Sequence, residues 1–388
     1  MLIELHIIQS FAPANLNRDD TGAPKDCTFG GVRRGRISSQ CIKKAIRDHF
    51  REAELLDEDE LGKRTRLLRD ELARRFAKKA KPEEVEAVAA AAVEGMGLKV
   101  VGDGETQYLI FIGPNEITEL AALCEKYWDK LVSVAPGTTV EDEARPARGR
   151  KKKVGKGLPE DFKKLAEKVL AVPKAADIGL FGRMLADLPE KNIDAACQVA
   201  HALSTHRAEM EMDFYTAVDD LQTIESDRGA GAGMMGTVSF NAATFYRYAN
   251  IHFPQLVENL QGDRELARKS VAAFLRASLE AVPSGKQNSF AAYNPPSFAM
   301  ALARDKGQVV SLANAFERPV RADREGGFVV PSIVALDAYW GRVARAFGVD
   351  NGSLYFLNIE EVEPEHLPAA GKVGTADELV EKTLEALA

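Results

Sequence analysis

The amino-acid sequence has the pattern of an α+β protein with a largely helical domain inserted into it. Three features carry this reading. Strand-like apolar runs occur near the start, in the middle and towards the end of the chain, a stretch rich in Leu, Ala, Glu, Lys and Arg separates the first from the second, and no internal repeat is present. With 388 residues, 45% of them hydrophobic and 28% charged, the chain is long enough to bury a sizeable core and to form two or three domains. The opening Met1–Ile8 has no basic leader and is broken by Glu4 and His6, so it is not expected to be a signal peptide. No run approaches the roughly 18 apolar residues of a membrane span, and the cytoplasm is the expected compartment.

Residues 2–11 read as a strand with Ile3, Leu5 and Ile7 on one side. A basic stretch follows, from Asn17 through Lys25 to Arg47, with six cations and no acid between Gly30 and Arg47. Its second half reads as a helix: Ser38 or Ser39 is the N-cap, and Ile42, Ala45, Ile46 and Phe50 recur at helical spacing. That leaves Gln40, Lys43 and Arg47 on another face. Two helices broken near Pro82 are expected between residues 51 and 92, then a short strand over 107–112 and helices over 117–131 and 159–170. Residues 136–157 read as a loop, and within it Arg148, Arg150, Lys151, Lys152, Lys153 and Lys156 put six cations into nine residues. This tract is either an arm for nucleic acid or a solvated charge run.

Residues 194–206 read as helix. Residues 213–218 and 236–240 read as two arms of a hairpin whose glycine-rich end carries Phe214, Tyr215, Met234 and Met235, apolar residues suited to docking on protein or wedging between bases. A strand over 244–251, a helix over 264–280, the turn 282–287, a strand over 297–302, a helix over 329–347 and an acidic tail from Glu360 complete the chain.

The net charge of −7 excludes a generally basic nucleic-acid binder, yet residues 1–50 hold eight Lys or Arg against five Asp or Glu. Positive charge interleaved with glycines, running into a helix N-terminus, suits a phosphate chain; a basic, solvent-facing helix is the bland alternative. Gly231-x-Gly233-x-x-Gly236 precedes an extended segment instead of following one, so a dinucleotide site is not expected. Cys27, Cys41, Cys124 and Cys197 form no C-x-x-C pair, and His201 and His206 lack the spacing of helical zinc ligands, so no metal or cofactor is expected. Asp19 and Asp20 either orient Arg18 and its neighbours or hold a metal for phosphodiester cleavage.

The motifs Leu16-Asn17-Arg18-Asp19-Asp20, Lys25-Asp26, Phe29-Gly30-Gly31, Arg36-Ile37-Ser38-Ser39-Gln40, Thr216 to Gln222, Phe245 to Ile251 and Asn314-Ala315-Phe316 resemble, in that order, the CasC family of type I-E CRISPR Cascade backbone subunits. The resemblance covers nearly the whole chain and is weakest over 51–174 and after 350. It implies a ferredoxin-like, RRM-related palm (1–50, 175–207 and 239–388 with the tail), a helical fingers insertion (51–174) and a β-hairpin thumb (208–238). It implies a non-catalytic subunit that polymerises along a CRISPR RNA (crRNA) and grips its backbone through Arg18, Lys25, Ser38, Gln40, Lys43 and Arg47. Arg33, Arg34, Arg36, Ser39, Arg183 and Lys286 join them as RNA-binding candidates. Tyr215 and Thr216 map to the thumb's base-displacing wedge, with Met184 on the palm side, and Lys151, Lys152, Lys153 and Lys156 to a DNA-holding region. The implied partners are crRNA, double-stranded target DNA, further copies of the chain, the other Cascade subunits (CasA, CasB, CasD and CasE) and, indirectly, the helicase-nuclease that degrades the target.

Overall fold

A large mixed sheet organises the first of two compact units. The computed structural model describes residues 1–102, 104–134, 158–170, 173–218 and 232–387. The first unit comprises 1–55, 198–252 and 271–388, and the second 56–197 and 253–270. Residues 175–197 therefore group with the helical unit, where a palm segment over 175–207 was expected.

In the sheet unit, Leu2–Ala14 is the central strand. It pairs antiparallel with Ala232–His252 on one side and with Phe298–Arg304 on the other. Outward from Phe298–Arg304 lie Ser353–Asn358 and Lys372–Val373; outward from Ala232–His252 lie Ala202–Ser204, Val32–Ile37 and Asp26–Phe29. Both faces of the central strand are buried. Leu5 and Ile7 meet Ile42 and Ile46 of the Ser39–Glu52 helix and Phe274. On the other face Ile8, Tyr246, Tyr248, Phe298 and Met300 pack against Ile333, Leu336 and Trp340 of the Val329–Phe347 helix. Period-2 alternation thus serves two helical layers, and the mixed α+β class agrees with expectation.

That second face also buries a network of polar groups. Glu4 ion-pairs with Arg304 and accepts hydrogen bonds from the Tyr248 hydroxyl (2.7 Å) and the Val310 N–H (2.6 Å). The Tyr246 hydroxyl accepts from the Leu312 N–H at 2.9 Å and lies 2.8 Å from His6 Nδ1. Burial, helped by the Arg304 charge, lowers the His6 pKa from 6.5 to about 3. The unfolded chain takes up this proton near pH 6.5 while the folded chain refuses it until about 3, so His6 removes stability as pH falls through that window. Between pH 6.5 and about pH 4 the expected loss is roughly 3 kcal/mol at about 1.36 kcal/mol per unit. Denaturant titrations of parent and His6→Phe across this range check it: the variant's stability should fall less steeply, and identical slopes would refute the assignment.

One expectation fails here, and a region to which no elements were assigned proves ordered, for a common reason. Residues 194–206 form no helix; the segment carries the short strands Cys197–Val199 and Ala202–Ser204, the latter paired to Phe245–Tyr246 and to Arg36–Ile37. The region after Glu360 is folded, with Lys372–Val373 parallel to Phe356–Leu357 and a Thr375-capped helix over Ala376–Glu385. Sheet edges supplied by distant segments override local composition in both places.

The second unit is mostly helical among its described residues, with Leu68, Leu72, Phe76, Val88, Ala92, Leu120 and Phe162 in its core. The break at Pro82 is present, between Leu68–Phe76 and Pro82–Gly95. The expected helix over 117–131 is two, Pro114–Lys126 and Trp128–Val134. The loop over 136–157, with its cationic tract, lies outside the described residues, as do residues 219–231 of the expected thumb.

Candidate nucleic-acid interface

A hairpin and the helix after it build the site. Asp26–Phe29 and Val32–Ile37 pair antiparallel, and both turn glycines have positive φ, 61° for Gly30 and 75° for Gly31. A Cβ on Gly30 would lie 1.6 Å from the Glu317 carbonyl oxygen, so only glycine lets the turn rest on that backbone. The second strand delivers Ser38, whose Oγ accepts the Cys41 N–H at 3.3 Å and caps the Ser39–Glu52 helix. The Ser38 N–H in turn donates to Asn17 Oδ1 at 2.8 Å, and the Asn17 carbonyl accepts the Lys25 N–H at 2.8 Å. One asparagine thereby closes the Asn17–Lys25 loop onto the helix start.

Asp19 shapes the loop from within. Its Oδ1 accepts the Thr21 hydroxyl at 2.7 Å and the Thr21 and Ala23 N–H groups at 2.9 and 3.0 Å. These bonds, the Thr21 hydroxyl foremost, hold its pKa below the usual carboxylate value. Asp20 is exposed, and among the described residues no three His, Cys, Asp or Glu side chains gather as a metal site. The turn bearing Lys286 rests on the same loop: a Cβ on Gly285 would meet the Leu16 carbonyl oxygen at 2.3 Å and that of Asn15 at 2.7 Å. Lys286 itself is half-buried and left-handed, with φ 54°.

The structure sorts the candidate cations. Arg18 is exposed, and Lys25, Arg36 and Lys43 are half-buried around the loop and helix start, with Gln40 exposed and Ser39 half-buried in the first turn. Arg33 is exposed but ion-paired with Asp26. Arg36 donates to the Asp26 carbonyl at 3.2 Å and lies 3.1 Å from His201 Nδ1. Burial first, and the Arg36 charge second, lower the His201 pKa, keeping that ring neutral beside the cation.

Three arginines correct the expectation. Arg34 is 0% exposed, and its guanidinium donates to four backbone carbonyls: Phe29 (3.1 Å), Ser204 (2.9 Å), Phe316 (2.7 Å) and Glu317 (3.2 Å). It anchors the hairpin from inside the protein, where no phosphate reaches it. Arg47 is buried beside Ile46 and Phe50, because 100° per residue places it next to the packed face. Arg183 lies in the helical unit, 3% exposed, its Nη1 donating to both Glu116 carboxylate oxygens (2.9 and 2.8 Å) and to the Phe111 carbonyl (3.3 Å). Its neighbour Met184 is 76% exposed.

The hairpin arm is present as Glu211–Val218 paired with Ala232–His252. Thr216 pairs with Met235 and shares a face with Phe214, whereas Tyr215 pairs with Gly236 on the opposite face, its ring lying where a Cβ on Gly236 would be. Tyr215 and Thr216 thus present their side chains to different sides. Lys151, Lys152, Lys153 and Lys156 lie outside the described residues. All four cysteines are free; burial raises Cys41 to about 11 and Cys124 to about 12, leaving both protonated.

Two residues outside the expected set belong here. Asn17 sits inside a motif the sequence already offered, and its side-chain acceptor was the missed signal. His201 gave none, being 165 residues from the arginine it meets.

A family model described as CT1975-like protein, a Cas family, matches residues 3–382. No curated protein sequence matches the chain. Among solved structures, a chain of a "CRISPR RNA-guided surveillance complex, pre-nicking" is 31% identical with a TM-score of 0.82, each chain covered over 100% of its length. A chain of a "CRISPR RNA-guided surveillance complex" is 27% identical with a TM-score of 0.74, again over 100% of both. Among the described residues, no helix is long and apolar enough to cross a membrane.

Proposed function

We propose, from the premise that this chain belongs to the CT1975-like protein family, that it is the crRNA-holding backbone subunit of a type I-E CRISPR surveillance complex, the CasC role, and is not itself an enzyme. The observation that carries the proposal is the closure of the Asn17–Lys25 loop on the Ser38 cap, which gathers Arg18, Lys25, Arg36, Gln40 and Lys43 about one helix start. Ammonium and guanidinium groups there meet phosphates whatever the base, and the free first-turn amides favour an anion. Specificity then comes from pairing between crRNA and double-stranded target DNA. Copies of the chain follow one another along the RNA, alongside CasA, CasB, CasD and CasE, and a separate helicase-nuclease degrades the target.

In this reading the exposed arm displaces one base per subunit. Unstacking costs about a few kcal/mol, offset by about 1–3 kcal/mol of stacking per base and by new phosphate contacts. The Asp19 carboxylate is already bound to its own loop, which supports orientation over metal binding.

Purified protein should carry co-purifying RNA that sequences as CRISPR transcript. Arg18→Ala with Lys25→Ala should weaken single-strand RNA binding and reduce its salt slope by about 1.4, roughly 0.7 for each phosphate no longer neutralised. Unchanged affinity and slope would remove the site. Cleavage of complementary RNA in magnesium, abolished by Asp19→Ala, would overturn the non-catalytic assignment.

A further inference from the structure

Where the central strand ends, one asparagine side chain meets both of the elements assigned to RNA. The register of Leu2–Ala14 with Ala232–His252 runs as far as the Ala14–Asn241 pair, with a shift between Phe11 and Ala14. Immediately beyond it lies Asn15, 0% exposed. Its Nδ2 donates to two carbonyls, that of Gly22 at 2.9 Å and that of Ser239 at 2.8 Å. Gly22 belongs to the loop that carries Arg18 and Lys25, where its φ of 87° turns the chain back. Ser239 lies in the arm, opposite Met212. The loop is therefore held at its ends, where Asn17 bonds to Ser38 and Lys25, and at its turn, where Asn15 bonds to Gly22.

Closing a strand end does not require this arrangement. A water or a hydroxyl satisfies either carbonyl singly, whereas one amide nitrogen carries two hydrogens and holds both carbonyls within two hydrogen-bond lengths of each other. The orientation of the amide is fixed, because turning it over would set Oδ1 against two carbonyl oxygens. Kept this way, Asn15 Oδ1 is buried and has no hydrogen-bond partner among the described residues. An unsatisfied buried acceptor costs stability, and local conflicts of this kind are characteristic of functional sites. The Asn15 backbone is covered as well, since a Cβ on Gly285 would lie 2.7 Å from its carbonyl oxygen, so the side chain has a fixed base. Loop and arm thus share one joint.

We propose that Asn15 is a positioning residue that couples the phosphate-holding loop to the base-displacing arm, so that the loop closing on a phosphate sets the arm against a neighbouring base. The proposal rests on the RNA-holding reading of loop and arm. Asn15 touches no RNA itself; being buried, it acts through the Gly22 and Ser239 carbonyls. Two contacts made through a shared rigid element do not act independently, and the departure from independence is a coupling that a double-mutant cycle measures. On the arm, Phe214 is 62% exposed and so is open to contact by a base.

The test is a double-mutant cycle on single-stranded RNA binding by the full-length chain, run in two backgrounds. In the parent, Arg18→Ala with Lys25→Ala as the loop variant and Phe214→Ala as the arm variant should depart from multiplicative behaviour by about fivefold or more in dissociation constant. With Asn15→Leu in every member of the cycle, the loop and arm effects should multiply to within about twofold. The salt slope of Asn15→Leu itself should stay that of the parent, because Arg18 and Lys25 are intact. Asn15→Ala, which leaves room for water at the two carbonyls, should give the same loss of coupling and guards against a failure of Asn15→Leu to fold. Hydrogen exchange gives an independent readout. RNA binding should slow exchange at residues 211–218 and 232–240 of the parent, and in Asn15→Ala that slowing should be about threefold smaller or less, yet undiminished at residues 17–25. A uniform loss of RNA affinity in both Asn15 variants with the coupling intact, or a parent cycle that multiplies to within about twofold, would overturn the proposal while leaving the RNA assignment standing. A parent that binds no RNA would overturn both.

Discussion

Arg34→Ala should cost roughly 3–5 kcal/mol of stability in the sheet unit, as expected when several buried hydrogen-bond acceptors each lose a charge-assisted donor worth about 1–3 kcal/mol. The guanidinium braces the hairpin at Phe29 and ties two distant pieces of backbone to it: Ser204 on the neighbouring strand, and Phe316 with Glu317. Arg34→Lys should recover little, because an ammonium cannot fork to carbonyls in several directions. Denaturant unfolding followed by circular dichroism measures the loss. RNA binding should fail along with the fold of the hairpin; a variant of parental stability that had simply lost RNA would mean that Arg34 touches phosphate after all.

Arg183→Ala should be comparably damaging in the helical unit, at about 3–5 kcal/mol, since it strands the buried Glu116 carboxylate without its partner. Burial already pushes the Glu116 pKa up, while Arg183 and the Gly113 N–H pull it down. Without the arginine the carboxyl should take up a proton. A group whose folded pKa is raised stabilises below its unfolded pKa and loses that contribution as pH rises, so the variant should be least impaired in acid and most impaired at neutral pH. Replacing both partners, Arg183→Met with Glu116→Leu, should restore most of the stability, as isosteric apolar replacement of a buried pair commonly does. Chemical denaturation of the three variants at about pH 4 and pH 7 decides the matter; an Arg183→Ala protein as stable as the parent would show that the pair contributes nothing.

Both arginines show where reading the chain reached its limit. Arg33 and Arg34 are adjacent and chemically identical, yet one is exposed and the other fully buried. Strand alternation says that they face opposite ways, but which face is buried depends on Ser204 and Phe316, 170 and 282 residues further on. Arg183 likewise finds Glu116 across 67 residues. The register of the arm shows the same alternation, with Tyr215 and Thr216 on opposite faces.

Elements whose stability is mostly local were legible from residues alone. The Ser38 cap with Ile42, Ile46 and Phe50, the helix Arg264–Glu280, the helix Val329–Phe347 and the opening strand each carry start signals, periodicity and propensity that agree within a few turns of chain. The concentration of positive charge near the amino terminus was equally plain, because it is a property of composition. Tertiary structure alone decided which of those cations are left for a ligand, turned segments of residues 197–204 into strands of the sheet, folded the acidic tail, brought His201 to Arg36 and set the Lys286 turn against the Asn15–Leu16 backbone. The physical reason is that burial and hydrogen-bond saturation are set by groups far apart in the chain, whereas helix caps, hydrophobic periodicity and net charge are set by neighbours.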